Sequence, residues 1–169
     1  MSPRVVLAST SPYRRAALSR LGLDFQAERP DCDEDAWKSR GLPPQELAET
    51  LAAQKALSLR TRFPQALIIG SDQLADLDGR ILGKPGSVAA AEAQVTAMSG
   101  REHRLITALA VAHPGGIERH VDITTLRMRH LDAAAIRRYV AADQPLDCAG
   151  AYKLEQRGIA LFDEIRSAD

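Results

Sequence analysis

Three hydroxyls in a row, Ser9, Thr10 and Ser11, are followed at short distance by Arg14 and Arg15. They close a short apolar run and precede Pro12, a residue suited to the first position of a helix. A strand, a hydroxyl-rich turn and a helix start make a site for an anion, because free N–H groups and the helix dipole point at one place. Arg14 sits where it can add a bidentate, charge-assisted contact. An ordinary helix cap with solvated arginines is the competing reading, and these residues alone favour it.

Further along, Asp72 ends the apolar run "ALIIGSD". Open α/β sheets hold their ligands at the carboxyl ends of buried strands, though such an acid also serves to cap a turn. Lys55 lies on one stripe of a long helix with Ala48, Ala52 and Leu59. A lysine there is costly unless it meets an anion or a cavity, or snorkels to the surface. Lys84 stands in "GKP", after a candidate hairpin. Asp33 and Glu34, in "PDCDED", read by themselves as a solvated acidic loop. With Asp72 they have the makings of a divalent-cation site, since Mg²⁺ commonly takes one or two carboxylates plus phosphate oxygens.

Two other patterns fail. "GRILGKPGS" has too few residues between its glycines for a phosphate loop, and Pro85 stands where Ser or Thr is required. "DLDG" at 76–79 lacks the first and last ligands of a calcium loop. The four histidines show no metal or triad spacing, and neither cysteine has an evidently activating neighbour. What remains is a hydroxyl and arginine corner, two lysines and two or three acids. Phosphoryl-type chemistry uses such a set, because charge neutralisation and positioning do most of its work.

The elements that must position these groups alternate. Strands are expected at Val5–Ala8, Phe25–Glu28, 66–72, 104–113, 117–129 and 159–165. Helices are expected from Ser11 to about Leu21, from Pro43 and Pro44 to about Arg62, from Ser87 to Met98 and from Asp132 to Ala142. Residues 29–42 read as a polar loop, and "DGR" at 78–80 as a hairpin turn. The class is α/β with a mixed sheet, in one domain over residues 1–169.

The bulk numbers agree with a soluble enzyme. Lys plus Arg and Asp plus Glu are 22 each, so the net charge is zero. A nucleic-acid partner usually needs a basic face, so none is expected. No apolar run approaches the roughly 20 residues of a membrane span. Cys32 and Cys148 form no disulfide framework and no zinc pattern, and a cytoplasmic location is expected.

Seven segments, taken together and in order, carry a resemblance: "LASTSPYRR" (7–15), "DE" (33–34), "QKA" (54–56), "IIGSDQ" (68–73), "GKP" (83–85), "SG" (99–100) and "CAGAYKLEQRG" (148–158). The chain resembles the Maf family of nucleoside triphosphate pyrophosphatases. The resemblance implies hydrolysis between the α- and β-phosphates, a divalent cation (Mg²⁺ or Mn²⁺), and an elongated mixed sheet flanked by helices, with a central cleft between two lobes. Carried over, Ser9, Arg14, Glu34, Lys55 and Lys84 are substrate-binding. Asp72 is the general base, a metal ligand with Glu34, or both. Tyr13, Gln73 and Glu155 replace the commoner arginine, threonine and glutamine. This departure is similar to the YceF-like branch, which prefers 7-methyl-GTP. The alternatives are a pyrophosphatase for dTTP/UTP or other non-standard nucleotides, and a nucleotide-binding regulator of septum formation. A homodimer is one candidate assembly, and the resemblance implies a further "DP…GLP" segment after residue 169.

Overall fold

The structure, a computed structural model, describes residues 3–167. In chain order the elements are β1 (Val5–Ala8), α1 (Pro12–Ser19), β2 (Phe25–Glu28), α2 (Glu34–Lys38), α3 (Pro44–Ser58), β3 (Leu67–Leu77), β4 (Arg80–Leu82), α4 (Val88–Met98), β5 (Glu102–His113), β6 (Gly116–Met128), α5 (Ala133–Asp143) and β7 (Phe162–Arg166). The strands join in one seven-stranded mixed sheet in the order β2-β1-β3-β5-β6-β7, with β4 paired to β3. The α/β class read from the sequence therefore holds.

The caps explain where the helices begin. Ser11, Ser87 and Asp132 each accept a hydrogen bond from a backbone N–H three residues on, at 3.5, 3.2 and 2.7 Å. The turn between β3 and β4 has positive φ at Asp78 (52°) and Gly79 (84°), the geometry that a two-residue hairpin asks of its sequence. Asp76 Oδ1 closes it by accepting from the Gly79 N–H at 2.7 Å.

The chain divides into two compact units. One holds residues up to Asp72 together with Thr107–Val121, and the other holds Gln73–Ile106 together with the residues from Asp122 onward. In the first unit β1 pairs in parallel with β2 (Val5 opposite Phe25) and with β3 (Val5 opposite Leu67). Val6, Leu7 and Ala8 of β1 are buried, as are Leu47, Ala48, Leu51, Ala52, Ala53 and Ala56 of α3. The second unit has its own core, from Ala75 and Leu77 of β3 through Ala91, Val95 and Met98 of α4 to Ile136, Tyr139 and Val140 of α5. Each core draws on a contiguous apolar face, which is the main favourable term in holding it.

Several boundaries differ from the sequence reading, among them β3, which runs on to Leu77 rather than ending at Asp72. Residues 34–38 are a short helix, not loop: Asp33 caps it by accepting from Ala36 N–H at 3.0 Å, and Glu34 and Asp35 suit its first turn. Helix α3 ends at Ser58 rather than near Arg62, the chain turning on through Leu59. The last strand starts at Phe162, because Arg157–Leu161 is a 3₁₀ turn. Gly158 packs against Lys153 there, where an added Cβ would lie 2.4 Å from the Lys153 carbonyl oxygen.

Candidate active site

The first unit gathers most of the charged residues singled out above. Helix α3 approaches β3 very closely at Gly70, where an added Cβ would stand 2.1 Å from Ala52 O and 2.7 Å from Ala56 N. Only a residue without a side chain fits against that helix backbone. One turn further on, Lys55 projects from α3, and two residues further on, Asp72 ends the first unit's share of β3. Lys55 Nζ donates to Asp72 Oδ1 at 2.6 Å. The same ammonium lies 2.9 Å from Glu34 Oε1, at the start of α2. Arg14, in the first turn of α1, brings a guanidinium nitrogen to 3.9 Å from Asp72 Oδ1.

Burial makes these contacts matter. Lys55 is 3% exposed and Asp72 5%, so the lysine does not snorkel to water. Burial pushes the Asp72 carboxyl above its ordinary range, although Lys55 and Arg14 pull it back. Glu34 goes the other way. Burial raises it, but hydrogen bonding and charge from Lys55, with help from Lys38, outweigh that and hold it below the usual range. Two carboxylates in neighbouring settings are thus driven apart, an arrangement typical of sites that divide acid and base roles.

The hydroxyl corner is built as read. Ser9 is buried, and its Oγ accepts from the Ser11 N–H at 3.1 Å. Helix α1 has no acid in its first turn and carries Arg14 and Arg15 there. Cations at a helix N-terminus oppose its dipole, so that helix start is suited to an incoming anion. Tyr13, in the same turn, is 40% exposed. The remaining sequence candidates, Gln73, Lys84 and Glu155, belong to the second unit and are exposed.

The Maf-like protein family model matches residues 4–169. The chain belongs to the Maf-like protein family. It is 51% identical to the 7-methyl-GTP pyrophosphatase of Xanthomonas campestris pv. campestris, over 100% of this chain and 88% of that protein. It is 45% identical to the 7-methyl-GTP pyrophosphatase of Bdellovibrio bacteriovorus, over 98% of this chain and 87% of that one. Among solved structures, the Ham1 protein of Staphylococcus aureus matches over 92% of this chain and 89% of its own, at 14% identity and a TM-score of 0.46.

In this Maf-like chain the sequence reading missed what holds the acidic loop. Asp33, grouped with Glu34 in the acidic loop, caps α2 through its Oδ1. Cys32 lies close enough to feel Lys55, Glu34 and Asp72, and burial pushes its thiol up. Ser58, three residues after Lys55, accepts from the Asp31 N–H at 3.1 Å. A serine at a helix end carries no signal by which sequence could assign that bond.

The donor set fits a divalent cation. Glu34 and Asp72 present carboxylate oxygens to one shared point, where a single ammonium now meets both. Among the described residues no cluster of three or more His, Cys, Asp or Glu could hold a metal by itself. The fit is therefore to a cation completed by phosphate oxygens, the usual arrangement for Mg²⁺.

Among the described residues no helix is long and apolar enough to cross a membrane, and both thiols are free.

Proposed function

We infer that this Maf-like protein is a nucleoside triphosphate pyrophosphatase that hydrolyses 7-methyl-GTP to 7-methyl-GMP and pyrophosphate. Its relatives across the whole chain length bear that name. The observation that carries the chemistry is one buried lysine shared by two carboxylates, with an arginine at the edge.

A triphosphate tail brings several negative charges to Arg14 and Lys55. It competes for both cations, and so frees Asp72 and Glu34 from Lys55. Glu34 and Asp72 would hold Mg²⁺ or Mn²⁺ together with phosphate oxygens, and the ion would supply further charge neutralisation. Asp72, with its raised proton affinity, takes a proton from water as the water oxygen bonds to the α-phosphorus. The bond from that phosphorus to the α–β bridging oxygen breaks, and its electron pair leaves with pyrophosphate. Arg14 and Lys55 offset that charge, and Ser9 adds a hydroxyl contact.

Selectivity follows from the base. Methylation at N7 makes guanine cationic, and an aromatic face such as that of Tyr13 attracts a cation by about 0.5–2 kcal/mol. The family resemblance gives Glu155 and Gln73 a share in base selection, and a carboxylate such as that of Glu155 is of the type that accepts from guanine N1–H and N2–H₂. The test is a panel of 7-methyl-GTP, GTP, dTTP and UTP with pyrophosphate detection, in Mg²⁺, in Mn²⁺ and with chelator. We expect 7-methyl-GTP to turn over fastest and chelator to stop it. Equal rates for methylated and plain GTP would remove the selectivity, and undiminished turnover in chelator would remove the cation.

A further inference from the structure

Ser58 has no part in the scheme above, yet its hydroxyl makes two bonds to segments that do. It ends α3, one turn beyond Lys55. Its Oγ donates to the Lys55 carbonyl oxygen at 2.8 Å and accepts from the Asp31 N–H at 3.1 Å. The first bond is ordinary for a serine at the end of a helix. The second is not local: it reaches back 27 positions to the loop that leads into Glu34.

That loop is fixed from its other side as well. Asp33 caps α2 through Ala36 N–H, and the Glu34 N–H donates to Cys32 O at 3.1 Å. Glu34 opens α2 between these two anchors, with a side chain 40% exposed. A carboxylate so open to water gains little from an ion pair unless its backbone is already placed. Remove the upstream anchor, and the segment carrying Glu34 loses a backbone tie to α3 that the ion pair does not replace.

We propose that Ser58 is a positioning residue: its hydroxyl latches the Asp31–Glu34 loop to the turn of α3 that bears Lys55, and so sets the Glu34–Lys55 contact. This rests on the reading that Glu34, Lys55 and Asp72 form the reacting site. Serving both partners from one atom couples their positions, which separate anchors would not. Catalytic groups placed to within a fraction of an ångström are worth large rate factors, and a residue that holds them acts through them.

The test is a double-mutant cycle on 7-methyl-GTP hydrolysis, with kcat and KM for each variant and Tm beside them. Ser58→Ala should lower kcat/KM by about 3- to 10-fold, the scale of a lost hydrogen bond. Ser58→Thr, which keeps the hydroxyl, should restore most of it. The double variant Ser58→Ala/Glu34→Gln should be no slower than Glu34→Gln alone. Asp31→Pro deletes the donor from the opposite partner and should reproduce the Ser58→Ala loss, which covers the case in which Ser58→Ala folds poorly. The proposal is overturned if the Ser58→Ala and Glu34→Gln losses multiply, if Thr is as poor as Ala, or if Asp31→Pro leaves kcat/KM at the wild-type value. Absence of pyrophosphate release by the wild type would instead overturn the assigned activity. The two failures are thus told apart.

Discussion

Asp72 and Asp76 sit four residues apart on β3, one at the end of the first unit's share of the strand and one in the second unit. Both are buried, at 5% and 2% exposure. Their surroundings differ. Asp76 is satisfied within the fold: Oδ1 takes the Gly79 N–H at 2.7 Å, and Oδ2 takes Arg104 Nε at 2.9 Å and a second guanidinium nitrogen at 2.5 Å. Asp72 makes both of its ionic contacts through Oδ1, to an ammonium it must share with Glu34 and to Arg14 at 3.9 Å. A buried acid with a full set of donors is a structural part. One whose cations are shared, and whose proton affinity burial has raised, is free to work.

The sharpest way to break that contrast is to neutralise each aspartate in turn. Asp72→Asn should cost about 10²- to 10⁴-fold in kcat, the scale of a lost general base, with little change in Tm. Asp76→Asn should leave kcat per folded molecule near wild type. It should cost about 2 kcal/mol of stability, because the Arg104 pair loses its charge while the turn keeps an acceptor. Urea titrations and steady-state rates on both variants decide the matter. An inactive but fully stable Asp76→Asn would erase the distinction.

A second test strikes the seat of the reacting cluster rather than its members. Gly70→Ala inserts a Cβ 2.1 Å from a helix carbonyl, and backbone cannot move aside cheaply. Helix α3 must shift outward, at about 3 kcal/mol for overpacking, and it carries Lys55 with it. We expect lower stability together with a fall in kcat/KM beyond the loss of folded protein, read by urea titration and by rates at a temperature where the variant is folded. Wild-type kcat/KM in the folded fraction would mean that the close approach does not set the Lys55–Asp72 contact.

The sequence exposes the two regions unequally. The charged residues of the first unit were legible because each breaks a local rule: a lysine on an apolar helix stripe, an acid ending a buried strand, arginines in a first turn. Caps were legible at Ser11, Ser87 and Asp132 because their spacing is local. Helix α2 was missed although its signals were present, because a five-residue helix among acids resembles a solvated loop. The Ser58 latch and the His103 cluster were not legible at all. Both depend on partners dozens of positions away, and period or spacing carries no record of those.

His103 offers the finest test, since it sharpens what a satisfied buried group means in the second unit. It is 3% exposed, and its Nε2 lies 3.0 Å from the Tyr152 hydroxyl. Its ring meets those of Tyr152 and Phe162 at centroid distances of 5.5 and 5.7 Å. Nδ1 has no hydrogen-bond partner among the described residues. Burial pushes the imidazole down to about 4, against an opposing pull from the Asp76 carboxylate. In the unfolded chain the ring titrates at its ordinary value of about 6.5. The folded ring therefore stays neutral while the unfolded one takes a proton first. Stability from this residue is complete above pH 6.5 and falls as the pH drops from there toward 4. Between pH 7 and pH 5 the loss should be about 2 kcal/mol. His103→Gln keeps a polar group for Tyr152 but cannot titrate. Its urea-derived stability should fall less steeply with acid than the wild type's across that window, while carboxylates contribute alike to both. Parallel curves would mean that the histidine is as easily charged in the fold as out of it, and that the aromatic cluster does not exclude water as its geometry implies.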